Sequence, residues 1–135
     1  LGTSQLGRLD EFVAGRARVA EMYMKRLGGD ARVRFQKIEP HVQMSWFVFV
    51  VKLADRYEAR DRDRILAELR KRGIGCNNYF APIHLQPFFV EKFGYKRGDF
   101  PVTEHVCDRT IALPFHPKLS EAEVDEVVRV FKGLL

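Results

Sequence analysis

The segment NNYFAPIHLQP, residues 77–87, concentrates the side chains of this sequence that are best suited to bind a sugar. Its amides and its imidazole can donate and accept hydrogen bonds to hydroxyl groups. Its two adjacent aromatic rings offer flat faces against which the C–H face of a pyranose can pack. The candidate substrate-binding residues are Asn78, Tyr79, Phe80, His84 and Gln86. From these residues alone, the segment is either a sugar-binding loop or a well-packed connection whose polar groups bond to the nearby backbone.

Motifs that carry catalysis in other proteins are missing from this sequence. It has no G-x-S-x-G nucleophile motif, no G-x-G-x-x-G and no Walker lysine. The carboxylate pairs Asp61/Asp63 and Glu121/Glu123 lie at predicted helix starts, where they stabilise the helix dipole. The two cysteines and four histidines lack the spacing of a metal site. We therefore predict no catalytic residue and no metal site in this chain.

Composition and charge narrow the class of protein further. The 135 residues, 46% of them hydrophobic, are typical of one folded domain. The net charge of +5 comes from basic residues that do not cluster, and the aromatics lie in apolar runs, so nucleic-acid binding is not favoured. The longest apolar run, Trp46 to Val51, is too short to span a membrane. We expect a cytoplasmic protein with two free thiols.

Periodicity predicts the elements that would hold the segment in place. Helices are predicted at 4–27, 61–72 and 88–93, near Asp99 to Pro101, and after a Ser120–Glu123 capping box; strands are predicted at 31–38, 45–53, from Ile74, and at 110–113. The order indicates an α/β (α+β) fold with a three- or four-stranded, mostly antiparallel sheet and helices packed on one face. The strand at 45–53 has consecutive apolar residues, so both its faces should be covered, by helices or by another domain.

Two stretches, 73–89 and 98–128, resemble the C-terminal part of the DegT/DnrJ/StrS-type sugar aminotransferases. The matching residues are Gly73-Ile74, Tyr79-Phe80, Pro82, His84, Gln86, Pro87, Gly98-Asp99, Pro101, Glu104 and Leu113-Pro114, together with residues 5–12 and Trp46. Several motifs in the same order make the resemblance specific, and it extends over nearly the whole chain.

This resemblance implies that residues 1–135 are the C-terminal small domain of a fold-type-I pyridoxal-phosphate enzyme. Such enzymes transfer an amino group, usually from glutamate, to a keto-sugar nucleotide, and a homodimer is expected. The family's cofactor-binding lysine, pyridine-binding aspartate and ring-stacking aromatic belong to a large domain that is absent here. We therefore expect this chain alone to bind no pyridoxal phosphate and to be inactive.

For the segment 77–87, the resemblance implies a wall of the sugar pocket. Tyr79, Phe80 and His84 match the family pattern there, whereas Asn77 and Ala81 replace a basic residue and a proline that many members carry. His84 would position the substrate and would not act as a base. The alternative is a stand-alone α/β module that binds a small ligand, or has a regulatory role, without catalysis.

Overall fold

A computed structural model describes residues 2–135 of the chain. The helices are α1 (Gly2–Leu6), α2 (Leu9–Leu27), α3 (Ala59–Lys71), α4 (Pro87–Phe93), α5 (Pro101–Cys107) and α6 (Glu121–Leu134), and the strands are β1 (Val33–Arg34), β2 (Phe49–Leu53) and β3 (Thr110–Leu113). A short 3₁₀ turn, Ile83–Leu85, precedes α4. Within residues 2–135, every helix is too short or too polar to cross a bilayer.

The three strands form one antiparallel sheet in the order β1-β2-β3. Phe49 of β2 pairs with Leu113 of β3, and Leu53 pairs with Val33 of β1. Alternation along β2 buries Phe49, Val51 and Leu53 on one face. Helices α2, α3 and α6 supply most of the other side chains in the same core. The predicted α/β class and antiparallel sheet are therefore confirmed.

Helix ends follow the local chemistry that the sequence indicated. Ser120 begins α6 with a capping box, in which its hydroxyl accepts from the Glu123 N–H while the Glu123 carboxylate accepts from the Ser120 N–H. Gly94 ends α4 in the left-handed region at φ 71°, which glycine adopts without steric cost. The capping box therefore fixes where the last helix starts, and Gly94 lets the chain turn from α4 toward α5.

Four predicted elements are shorter or different in the structure. The helix expected at 4–27 breaks at Gly7-Arg8, where Arg8 leaves the helical region with φ −115°. The strands expected at 31–38 and 45–53 shrink to β1 and β2. The strand expected from Ile74 does not form: the Ile74 N–H bonds back to the Leu69 carbonyl of α3, and only Asn77 pairs with β3, through Ala112.

The second face of β2 is only partly covered within residues 2–135. Val50 and Lys52 point away from the core and remain half-buried, so no helix of the described chain covers this face fully. Residues 36–48 and Tyr79 shield it in part and leave a recess there. Helices cover one face of β2 as predicted, and cover of the second face by another domain stays a prediction.

Candidate functional site

Segment 77–87 starts at the edge of the sheet and ends at helix α4. Asn77 and Ala112 exchange backbone hydrogen bonds of 3.2 and 2.8 Å, which attaches the start of the segment to β3. The Thr110 hydroxyl donates to the Tyr79 carbonyl at 3.3 Å. These bonds place Tyr79 at a defined position relative to the sheet.

Tyr79 and Phe80 form an aromatic surface together with Phe47. The rings of Tyr79 and Phe80 stack with their centroids 4.1 Å apart, and the Tyr79 and Phe47 rings lie edge to face with their centroids 6.1 Å apart. Phe80 is 63% exposed and Phe47 is 68% exposed. We call Phe47, Tyr79 and Phe80 the aromatic shelf. It can offer ring faces to a ligand, as the two segment residues were expected to do.

His84 lies inside the protein, away from the shelf. It is buried in the 3₁₀ turn, with Nε2 2.9 Å from Oε1 of Glu104. Its ring packs against Phe100 at a centroid distance of 4.7 Å and faces the edge of Tyr95. One ring nitrogen is therefore engaged inside the protein, and the histidine joins segment 77–87 to helix α5.

Glu104 is the centre of a small buried polar cluster. Its carboxylate accepts hydrogen bonds from the Gly98 N–H at 2.9 Å and the Phe100 N–H at 3.3 Å, besides the contact with His84. Gly98 has φ 100°, a conformation that favours glycine. Burial raises the pKa of Glu104, but the hydrogen bonds from Gly98, His84 and Phe100 outweigh it and hold the pKa below 4.5. We call His84, Gly98, Phe100 and Glu104 the Glu104 hub.

The two amide residues occupy different surroundings. Gln86 is exposed at the start of α4, where its side chain makes no capping hydrogen bond. Asn78 is half-buried, and its Oδ1 atom is buried with no hydrogen-bond partner among residues 2–135. The Asn78 oxygen is therefore the more constrained of the two candidate polar groups.

The structure thus separates the five predicted site residues instead of gathering them in one pocket. Tyr79 lines a recess of about 250 Å³ beside residues 36–50, whereas His84 lines an apolar recess of about 280 Å³ with Tyr95 and Phe100. The sequence analysis did not single out Phe47. It lies in an apolar run two residues before Phe49, and this spacing is typical of a core residue. Its exposure follows from the irregular backbone before β2, which no periodicity signals.

The residues present do not fit a bound pyridoxal phosphate. That cofactor needs a lysine held at its aldehyde and an acid facing its ring nitrogen. No lysine among residues 2–135 is buried, and Lys25 lies exposed in an open groove with Glu21 and Glu121. No group of three or more metal-ligating side chains occurs in that range either.

The two thiols are weak candidates for nucleophiles. Burial raises the pKa of Cys76 and of Cys107, and the nearby Asp108 raises the pKa of Cys107 further. Both thiols are therefore protonated at neutral pH. Neither thiol is therefore favoured as a nucleophile in the described part of the chain.

Comparison with known proteins extends this description. A family model of the DegT/DnrJ/EryC1/StrS aminotransferase family matches residues 1–132. An uncharacterized protein of Methanocaldococcus jannaschii is 32% identical over all of this chain. The structure of a Streptococcus pneumoniae protein assigned as a sugar aminotransferase superposes on 98% of the chain with a TM-score of 0.90 and 25% identity. The aminotransferase TlmJ from Streptoalloteichus hindustanus superposes on 98% of the chain with a TM-score of 0.83 and 28% identity.

Each of these proteins is much longer than the present chain. The chain spans 35% of the M. jannaschii protein, 33% of the S. pneumoniae structure and 34% of the TlmJ structure. It therefore corresponds to about one third of each relative's length.

Proposed function

The chain belongs to the DegT/DnrJ/EryC1/StrS aminotransferase family, and we propose that it is the C-terminal small domain of a sugar aminotransferase. The observation that carries this proposal is the family match over residues 1–132, together with a fold that superposes on a third of a longer protein assigned as a sugar aminotransferase. In the intact enzyme, an amino group would pass from an amino acid, glutamate for preference, to a keto-sugar nucleotide. The structure of the S. pneumoniae protein is known in PLP and PMP forms, which supports pyridoxal phosphate as the cofactor.

In this proposal the cofactor and the reacting lysine belong to a large domain outside residues 1–135. Pyridoxal phosphate would supply the electron sink for amino transfer. The present chain would contribute binding surface. The intact enzyme would act as a homodimer in the cytoplasm. The exposed apolar side chains Val102 and Val106 of α5 support the presence of such a contact with another subunit or domain.

Segment 77–87 would form one wall of the sugar pocket. Phe80, stacked on Tyr79 and exposed, offers a ring face to the sugar. Asn78 and Gln86 are the polar residues nearest in sequence that could reach hydroxyl groups. His84 would help to position the substrate, since its contact with Glu104 fixes the turn that follows Phe80.

The second candidate is a stand-alone module that binds a small ligand without catalysis. The buried core formed by α2, α3, α6 and the sheet favours it, because this chain forms a core of its own. The coding sequence before Leu1 separates the two candidates. The aminotransferase proposal expects a large domain with a lysine before a glycine-rich segment; a start codon directly before Leu1 would contradict it.

Mixing the 135-residue chain with pyridoxal phosphate and borohydride is a second test. We expect no lysine to be modified specifically, since none among the described residues is held beside a cofactor site. Mass spectrometry that found one lysine trapped in full at equimolar cofactor would contradict the assignment of the cofactor to another domain.

The role of the shelf can be tested in the intact enzyme by measuring its two half-reactions separately. Replacing Phe80 by Ala should raise KM for the sugar substrate about tenfold, the loss expected for one aromatic contact. The half-reaction with glutamate should stay unchanged. Phe88→Ala is the matched control, since Phe88 is 59% exposed and Phe80 is 63% exposed. Equal losses in both half-reactions would remove Phe80 from the sugar pocket.

A further inference from the structure

The recess that His84 lines has a volume of about 280 Å³ and lies where the 3₁₀ turn, α4 and α5 meet. Its surface is almost entirely apolar, and its lining residues are Ile83, His84, Phe89, Tyr95, Phe100 and Thr103. Among residues 2–135, no Asp, Glu, Lys or Arg side chain lines it. Pockets for small ligands start at roughly 300 Å³, so this recess suits a compact ligand.

The aromatic walls of this recess are packed against one another. The rings of Tyr95 and Phe100 have their centroids 5.5 Å apart, and the Phe100 centroid lies 4.7 Å from that of His84. Phe93 joins Phe89 to Tyr95, with centroid distances of 5.9 and 5.7 Å. Because these rings already hold one another, an aromatic ligand would lose little affinity to ordering them.

His84 brings a fixed polar group to this recess. The residue is only 7% exposed, and its Nε2 atom lies 2.9 Å from Oε1 of Glu104. The pKa of Glu104 lies below 4.5, so its carboxylate is ionised at neutral pH and can only accept a hydrogen bond. Nε2 of His84 therefore carries the proton, and in the neutral imidazole Nδ1 is left as an acceptor.

Nδ1 of His84 has no partner in the chain and is open to the recess. It makes no hydrogen bond within residues 2–135, where the side-chain atoms that are both enclosed and unbonded belong to Asn78 and Arg109. The recess is the open space that His84 lines. A matching ligand thus offers one donor to Nδ1 and apolar surface to the rings. An ammonium ion would lose its hydration there without gaining a carboxylate, because Glu104 is already engaged by the hydrogen bonds of its hub.

We propose that this recess binds an aromatic ring that carries a hydroxyl group, as a phenol does. The hydroxyl donates to Nδ1 of His84. The ring packs against Phe89, Tyr95 and Phe100. A neutral hydroxyl supplies the donor without bringing a charge into apolar surroundings. This site goes beyond the proposed function and does not depend on it, since every group that forms it belongs to this chain.

Phenol and anisole are a matched pair of probes for the 135-residue chain. Anisole keeps the ring and the oxygen but carries a methyl group in place of the hydroxyl hydrogen, so it cannot donate. Phenol should move the δ1 methyl signal of Ile83 in a ¹H–¹³C NMR spectrum and saturate with a Kd on the order of 1 mM. Anisole should bind about tenfold more weakly, the loss of one hydrogen bond. A recess that recognised apolar surface alone would instead prefer anisole, the more apolar of the two.

Two half-buried phenylalanines show whether phenol binds in the recess. Phe89→Ala removes part of the wall and should weaken phenol binding at least about tenfold. Phe12→Ala removes a ring of similar burial from α2, outside the recess, and should bind phenol as the unchanged chain does. The methyl signal of Ile111, which is buried in the core, should keep its position in both variants and so report an intact fold.

N-acetyltyrosinamide distinguishes two sources of the ring. Binding at least as tight as that of phenol assigns the recess to a tyrosine side chain of a polypeptide, and much weaker binding assigns it to a free hydroxyaryl molecule. Three results would overturn the site. They are anisole binding as tightly as phenol, phenol binding that Phe89→Ala leaves unchanged, and no movement of the Ile83 signal with phenol. Each of them leaves the aminotransferase proposal standing, since the coding sequence before Leu1 tests that separately.

Discussion

Two regions of this molecule differ in the kind of side chain that they bury. The packed half, made of the sheet with α2, α3 and α6, buries apolar side chains such as Tyr23, Phe49 and Phe131 almost completely. In the loop half, residues 77–108, the only buried residues are His84 and Glu104, and both are polar. Among residues 2–135, twelve large hydrophobic residues are exposed, and eight of them lie in this same loop half. The loop half therefore buries two polar side chains and leaves most of its large apolar side chains exposed.

This difference shows which forces hold each region. Burial of apolar surface stabilises the packed half and acts without direction. In the loop half, directed hydrogen bonds to the Glu104 carboxylate hold the chain, and they tie the turn at 97–100 to helix α5 and to His84. Exposed rings such as Phe80 and Phe88 then remain free for other surfaces. A binding region can be kept in shape by a polar centre while its apolar residues face outward.

The largest effect should come from the packed half. Phe131→Ala removes a fully buried ring from α6 and should lower the free energy of unfolding by about 3–5 kcal/mol. Urea unfolding followed by circular dichroism measures this loss. Phe88→Ala removes the same ring from an exposed site in the loop half and should change the midpoint very little. A comparable loss for both variants would contradict the division into two halves.

A smaller and more local effect is expected at the Glu104 hub. Glu104→Gln keeps the shape of the side chain but removes its charge and places an NH₂ group among N–H donors. The amides of Gly98 and Phe100 should exchange with solvent faster, whereas those of Val51 and Phe131 should keep their protection. Hydrogen exchange read by NMR separates the two groups of amides. Faster exchange throughout β2 and α6 would show that the hub supports the whole fold.

The same carboxylate gives the loop half a dependence on pH. The pKa of Glu104 in the folded chain lies below its ordinary value of 4.5. Its stabilising contribution is therefore fully present above about pH 4.5 and is lost as the pH falls through the lower, folded value. Protection of Gly98 and Phe100 should fall over that range in the unchanged chain. In Glu104→Gln, the protection of the Gly98 and Phe100 amides should already be low and should be nearly independent of pH over the same range.

The packed half is the part of the fold that the sequence predicts well. The spacing of Val124, Val127, Val128, Phe131 and Leu135 predicts the inner face of α6; the first four are buried as expected, and Leu135 is half-buried. Strand β3 also lies where the apolar run 110–113 places it. Periodicity succeeds in this half because one apolar face per element meets one common core.

The loop half is harder to predict, and the reason is physical. Its phenylalanines have the composition of a core but lie outside, so a rule that assigns apolar residues to the interior fails there. The resemblance did point to His84 and Glu104 as motif residues, but only the structure shows that their side chains form a hydrogen bond. Tyr79, Phe80 and His84 were predicted to face one pocket, whereas Tyr79 and His84 line two different recesses. Whether any of them touches a sugar stays a prediction.

The smallest effect considered is at the start of α6, where the packed half relies on directed hydrogen bonds as the loop half does. Ser120→Ala removes the hydroxyl that accepts from the Glu123 N–H at 3.3 Å and should cost about 1 kcal/mol. Thermal unfolding, with Ser4→Ala in exposed α1 as control, measures this loss. Since the core at Val124 and Phe131 is unchanged, the loss should appear as a lower midpoint without faster exchange at Gly98. If Ser120→Ala instead released the amides of the loop half, the two halves would share one cooperative unit, and the contrast between them would be one of chemistry and not of stability.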